Sequence, residues 1–177
     1  MPIPLAVPGY SCSCDPGDAE AARPHDARAM TKKTDFDQEE WDLIAEGPAT
    51  AGMIVIRAEG GGTFRETIAL AHAYGDARKQ HGQSELLDEI VSSKPEFDRH
   101  RYRTDADLQG EGMARIGQAV SLLREKATPQ EVSDYGSFVL ALAQAVAEAH
   151  TEHGQKISPK EQAALDEIRT RIEGSTG

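Results

Sequence analysis

Cysteine is scarce in this chain of 177 residues, which contains only Cys12 and Cys14. The two are separated by one residue and have no second pair, so they can build neither a disulfide framework nor a four-ligand zinc site. We therefore expect free thiols in a reducing compartment, which favours a cytoplasmic location.

An excess of positive charge is also missing, and so is a long apolar run. The chain has 19 basic and 30 acidic residues, a net charge of -11, which argues against nucleic acid and anionic membranes and leaves cationic or neutral partners possible; we expect the partner to be a protein. The longest helical run without acidic or basic residues covers residues 135–147, fewer than the ~20 that span a bilayer. Residues 1–8 lack the basic region of a secretory signal. We expect a soluble protein.

Hydrophobic periodicity is weak in residues 1–33, which hold five of the nine prolines and both cysteines. This composition predicts a mobile N-terminal tail over residues 1–33, followed by a single domain over residues 34–174. Met30 is an alternative translation start, and a chain that begins there should still fold.

No stretch combines the period-2 alternation and the hairpin turn of β-structure, although residues 53–56 fit a strand as well as a helix. The helical periodicity predicts an all-α, single-domain bundle of about seven helices. We expect the first helix over residues 37–46. Gly47 and Pro48 should end it, with Pro48 opening a second helix.

Two apolar stripes predict which helix faces are buried. In the third helix the stripe consists of Phe64, Ile68, Ala71 and Gly75, and its small residues should permit close helix approach. The long helix after Thr128 keeps a 3-4 spacing in Val132, Tyr135, Val139, Leu142, Val146 and Ala149. This second stripe fits an internal core and a homo-oligomer contact equally well.

A glycine turn followed by a Ser/Thr-x-x-Glu helix start occurs twice, which suggests two related helix-turn-helix units. The copies are Gly60-Gly61-Gly62 with Thr63 and Glu66, and Gly154 with Ser158 and Glu161. The repeated glutamates invite a ligand hypothesis, but a glutamate at the third helical position also caps free backbone N–H groups. We favour capping. Further capping boxes are expected at Asp37/Glu40 and Thr128/Glu131.

His150 and His153 are the candidate metal ligands. They lie three positions apart, so a helix would present both imidazoles on one face to a divalent metal. The alternative is that both are solvated and interact with the negative helix C-terminus. His72 could act as an interior base with Glu66 or Glu148, or be a half-buried, hydrogen-bonded side chain.

Residues 99–103 form the one basic, aromatic-containing cluster, Arg-His-Arg-Tyr-Arg. Such a cluster can stack on bases or pair with phosphate. In so acidic a chain we expect it instead to pair with the protein's own acidic surface or with an acidic partner.

The glycine turns resemble those of the TerB-like helical proteins of tellurite-resistance and stress-response systems. In that pattern an Ala-Asp-Gly turn precedes Ile-Ser-x-x-Glu and a leucine. The matching residues here are Ala58, Glu59, Gly60, Thr63 and Glu66 in the first copy, and His153, Gly154, Ile157, Ser158, Glu161 and Leu165 in the second. The resemblance covers about a third of the chain and implies a helical, stress-associated protein.

These features predict a non-enzymatic, cytoplasmic helical module for protein interaction or stress response, with weak divalent-metal binding at His150 and His153. The alternative is a small-molecule or metal-dependent enzyme with its site between helices. Convergence of His72, His150 and His153 on one cavity would favour the enzyme.

Overall fold

The fold is all-α, as predicted. The structure is a computed structural model that describes residues 30–58, 60, 64–79, 84–93, 97–98, 101–149 and 157–174. These ranges contain no strand, and they contain six helices of eight or more residues rather than the expected seven. The helices are α1 (Gln38–Ala58), α2 (Phe64–Lys79), α3 (Glu85–Ser92), α4 (Met113–Lys126), α5 (Pro129–Ala149) and α6 (Pro159–Glu173).

Helix α1 runs without a break through Pro48, so the prediction that Gly47 and Pro48 separate two helices is wrong. Proline has no backbone N–H and therefore leaves the carbonyl four residues earlier without its helical donor. Here the buried Tyr135 hydroxyl donates to that carbonyl, the oxygen of Ile44, at 2.9 Å. A side chain from α5 thus replaces the hydrogen bond that the proline removes.

The predicted capping boxes are confirmed wherever the structure describes them. Each capping box pairs a glutamate with a backbone N–H three residues earlier, as in the 2.9 Å bond from Asp37 N to Glu40 Oε2. The same reciprocal bonds join Thr128 with Glu131 and Ser158 with Glu161. Thr63 and the Glu66 side chain lie outside the described residues.

The core forms around α1, which packs against α4, α5 and α6. The 3-4 stripe of α5 supplies this core, because Tyr135, Val139, Leu142 and Val146 are all buried in it. Internal packing, rather than a surface contact, therefore accounts for that stripe. Helix α2 packs mainly on α5 and has little contact with α1.

The stripe predicted for α2 is wrong. Ile68 is 38% exposed, and a Cβ on Gly75 would meet nothing within 4 Å, so no helix approaches closely there. The buried residue is instead Tyr74, with Leu70, Ala73 and Ala77 partly buried beside it. The helix is rotated relative to the prediction because Tyr74, rather than Ile68, reaches the core, while the Phe64 side chain lies outside the described residues.

The chain enters the core through Thr31, which is 3% exposed. Its backbone N–H and its hydroxyl donate to the two carboxylate oxygens of Glu131, at 2.7 and 2.9 Å. Lys33 N also donates to Glu89 Oε2 at 2.6 Å. Residues 31 and 33, which the sequence placed at the end of the tail, therefore contact α5 and α3.

A π-helix over Leu108–Gly112, preceded by the single turn Asp105–Asp107, leads into α4. It packs closely on α1, since a Cβ on Gly112 would lie 3.0 Å from Thr50 Cγ2. The sequence did not predict this π-helix. None of the described helices is both long enough and apolar enough to span a membrane.

Candidate functional site

A groove of about 410 Å³ lies between α2, α3 and α5. A volume of this size is typical of ligand-binding clefts. The groove opens to solvent beside Asp76, Ser137 and Ala141, which are exposed. Its lining residues are Ala73, Asp76, Ala77, Ser84, Leu87, Asp88, Asp134, Ser137, Phe138, Ala141, Leu142 and Ala145.

The floor of the groove is apolar. Phe138 and Leu142 are buried at its base, and the Phe138 ring is held by an edge-to-face contact with Tyr74 at 5.3 Å between centroids. Alanine pairs one turn apart form the walls, Ala73 with Ala77 on α2 and Ala141 with Ala145 on α5. Because alanine fills so little space, the helices leave a groove here instead of a close-packed contact.

Carboxylates surround this floor. Asp76 comes from α2, Asp88 from α3 and Asp134 from α5, and none of the described lining residues is basic. Gln130 Nε2 donates to Asp134 Oδ1 at 2.8 Å and so orients that carboxylate within α5. The arrangement suits a ligand that combines an apolar face with positive charges.

The hydroxyls of the groove suit binding better than nucleophilic catalysis. The Ser84 hydroxyl oxygen accepts a hydrogen bond from Leu87 N at 3.2 Å and caps α3. A nucleophilic serine needs a base within hydrogen-bond reach. Ser137 is exposed in the middle of α5, and the hydrogen bonds that the structure shows for the groove pair neither serine with a histidine.

A second polar cluster lies between α1 and α4 around the buried Glu46. Glu46, with a side chain 8% exposed, accepts from Arg115 Nε at 3.1 Å and Nη2 at 2.7 Å, and Arg101 Nη1 lies 3.5 Å away. All three contacts fall on Glu46 Oε2. The basic cluster thus pairs internally at Arg101, as expected, while Arg99 and His100 lie outside the described residues.

Tyr102 and Thr50 complete this polar cluster. Burial raises the Tyr102 pKa and the negative charge of Glu46 raises it further, while the positive charge of Arg115 and the neighbouring Thr50 hydroxyl act in the opposite direction. The two hydroxyls adjoin each other but do not reach hydrogen-bonding geometry. The ion pair of Arg101 with Glu46 and the packing of the Tyr102 ring against the core hold residues 101 and 102 in place, which is a structural role.

The residues predicted to carry chemistry are not brought together in the described part of the chain. His150 and His153 lie outside it, as does the Glu66 side chain. His72 is exposed on α2, so it does not face the interior. Glu148 is also exposed and accepts from Gln144 at 2.9 Å. Among the described residues, no group of three or more His, Cys, Asp or Glu side chains could hold a metal ion.

The groove itself was missed by sequence reasoning. Its signal was present as two alanine pairs at i, i+4 spacing, each in a helix that also carries an aspartate facing the same way. Alanine-rich helix faces usually indicate close packing, so the pattern alone does not separate a groove from a tight contact.

Comparison with known proteins identifies no relative: no protein-family model, curated protein or solved structure matches this chain significantly. The functional inference therefore depends on the geometry of the groove.

Proposed function

We propose that the protein is a non-enzymatic interaction module that binds a partner protein in the groove between α2, α3 and α5. The observation that supports this most directly is an open groove whose walls carry the exposed Ala141 and the partly exposed Ala73, Ala77, Leu87 and Ala145, with carboxylates from three helices around them. An exposed apolar surface with a charged rim is typical of protein-binding sites.

The proposal also includes the location, the hairpin architecture and the biological role that the sequence predicts. The module is a cytoplasmic helical bundle of two related hairpins, with a stress-associated role of the kind that the TerB-like resemblance implies. Two contacts support the hairpins. Gly60 adopts a left-handed φ of 87° at the end of α1, with its N–H donating to Arg57 O, and the Ser158/Glu161 box opens α6.

The enzyme alternative has less support. It requires His72 to act as a base between helices with Glu66 and the His150/His153 pair. The imidazole of His72 is exposed on α2, where water rather than a closed site surrounds it. General bases act best in a site that excludes water and fixes the substrate.

Affinity capture with a blocked groove tests the proposal. Purified wild-type protein is compared as bait with Ala141→Trp, which fills the groove, and with Ala163→Trp, an exposed position on α6 outside it. We expect at least one protein to be retained by wild type and by Ala163→Trp but lost by Ala141→Trp, and to bind wild type directly once purified. Identical protein sets on all three baits would contradict the proposal.

Weak divalent-metal binding at His150 and His153 is a separate part of the proposal, based on their i, i+3 spacing. A metal at ten times its dissociation constant would stabilise the fold by about 1.4 kcal/mol. Zinc or manganese should therefore raise the melting temperature modestly in wild type and leave a His150→Ala/His153→Ala variant unchanged. A melting temperature that neither ion changes across a titration would contradict metal binding at His150 and His153.

A further inference from the structure

We infer that the partner's bound segment is a basic amphipathic α-helix of about three turns. This inference rests on the proposed function, because it names the ligand of the same groove. Three properties of the described residues lead to it: the length of the groove, the nature of its walls and the placement of its carboxylates.

The length of the groove matches a short helix. On α5 its lining runs from Asp134 to Ala145, which at 1.5 Å per residue spans about 17 Å. Three turns of α-helix cover about 16 Å. The cavity of about 410 Å³ takes the apolar side chains of one helix face, while the body of the bound helix lies above it.

The walls favour a helix over an extended segment. An extended peptide that binds as an added strand needs a sheet edge, and one that binds as a polyproline helix needs an aromatic-lined groove, whereas the described lining holds one aromatic residue, the buried Phe138. The groove walls are helices, whose backbone groups in the interior of α2 and α5 are already bonded within each helix. A bound helix satisfies its own backbone and presents only side chains, so it is the segment that these walls accommodate.

The shape of the groove determines the spacing of the apolar side chains that a partner helix needs. Ala141 and Ala145 are one turn apart, as are Ala73 and Ala77 opposite them, and Phe138 and Leu142 form the base. Partner residues at i, i+3, i+4 and i+7 would fall along this path. Leucine or methionine at those positions would fill the depth that the alanines leave open.

The carboxylates of the groove favour a partner helix with positive side chains beside its apolar stripe. Asp134 on the α5 wall is the carboxylate placed to meet a positive side chain of the partner, and Asp76 and Asp88 add negative charge from the other two helices around a bound apolar stripe. Opposite charges across an interface increase association rate and specificity, and the net charge of -11 attracts a basic segment at longer range. An acidic helix with the same apolar stripe would be repelled.

Three fluorescent peptides of about 14 residues test the inference by anisotropy with the full chain. The first is an amphipathic Leu/Lys helix, the second replaces each Lys with Glu, and the third is a scrambled Leu/Lys sequence without an apolar face. We expect only the first to bind wild type, at least about tenfold more tightly than either other peptide. Equal binding of the scrambled peptide would show that the first peptide binds only through general charge attraction, which would overturn the inference.

Groove variants then locate the site. Ala141→Trp should weaken the first peptide about tenfold, and Asp134→Lys about fivefold. The control is Asp166→Lys on α6, where Asp166 accepts from Gln162 at 3.0 Å as Asp134 does from Gln130, and also pairs with Arg169 Nη1 at 3.3 Å. We expect a change below about twofold there. Equal losses in Asp134→Lys and Asp166→Lys would place the peptide elsewhere and contradict the inference.

Failure of this inference is distinguishable from failure of the proposed function. If capture recovers a partner that depends on Ala141 while the Leu/Lys peptide shows no preference, the groove binds protein but not a basic helix. If the groove block changes neither capture nor peptide binding, both proposals fail. The peptide comparison uses wild-type protein, so its result does not depend on whether a variant folds.

Discussion

The alanine residues of α5 are buried on one side of the helix and line an open groove on the other. Toward α1 and the core, Ala143 and Ala147 are completely buried. Toward α2 and α3, Ala141 is exposed and Ala145 is only half-buried, and both line the groove. Composition does not distinguish the two sides. What differs is the partner across the helix, which comes close on one side and leaves a groove of about 410 Å³ on the other.

Polar groups follow the same division. On the core side, the Tyr135 hydroxyl completes the hydrogen bonding of α1, and Glu46 is held by Arg115. On the groove side, Asp134 is oriented only by a neighbour in its own helix. The core side therefore determines stability, whereas we expect the exposed and half-buried wall positions Ala141 and Ala145 to change with little effect on folding. Four predictions test this division.

The largest loss of stability is expected for Gly47→Ala. A Cβ at this position would overlap the Tyr135 hydroxyl and displace it from Ile44 O. Overpacking together with the lost hydrogen bond should lower the free energy of unfolding by about 3 kcal/mol. Gly75→Ala is the control, because its Cβ meets nothing and helix propensity should raise stability by up to ~1 kcal/mol. Urea unfolding measures both, and a harmless Gly47→Ala would show that α1 and α5 are not in close contact.

Arg115→Met should have the next largest effect. It leaves the buried Glu46 carboxylate with only the longer 3.5 Å contact to Arg101. Because Arg115 is partly exposed, we expect a loss of about 2 kcal/mol, less than for a fully buried pair. Arg57→Met removes an exposed partner of Asp105 and should cost no more than ~0.5 kcal/mol. Similar losses for the two variants, measured by denaturant unfolding, would argue against a special role for the buried pair.

Local signals explain what the sequence could predict. The helix starts at Asp37, Thr128 and Ser158 follow from side chains three positions apart, so capping was predicted correctly. The continuity of α1 depends on Tyr135, 91 positions after the carbonyl that it bonds, and no local rule gives that contact. The orientation of α2 was equally non-local, since it depends on the Tyr74 contact with Phe138. The groove arises from the relative placement of three helices, which periodicity does not specify.

Glu131→Gln should make acid stability less dependent on pH. Burial alone would raise the Glu131 pKa, but hydrogen bonds from Thr128 and Thr31 outweigh it and lower the pKa below that of an ordinary glutamate. A lowered folded-state pKa stabilises the fold above the unfolded-state pKa, and this contribution is lost as the pH falls through the folded-state pKa. The variant should therefore be about 1 kcal/mol less stable at neutral pH, with a difference that shrinks in acid.

Unfolding curves between neutral and acidic pH measure this effect, with Glu39→Gln, an exposed residue in the first turn of α1, as the control for loss of one charge. A constant difference between wild type and Glu131→Gln at every pH would show that the Thr31 and Thr128 bonds do not distinguish the charged carboxylate. It would also weaken the view that Thr31 anchors the chain to α5.

The smallest effect is expected where the two sides of α5 are compared directly. Ala145→Leu places a larger apolar side chain in the groove and should change the free energy of unfolding by no more than ~0.5 kcal/mol. Ala143→Leu makes the same change on the buried side, where overpacking should cost about 1–3 kcal/mol. The two variants share helix, residue type and added volume, so the difference between them isolates the space across the helix. Equal losses would mean that the groove side of α5 is as closely packed as the core side. A neutral Ala145→Leu that also weakens the Leu/Lys peptide would instead show that the space left by small residues serves binding rather than folding.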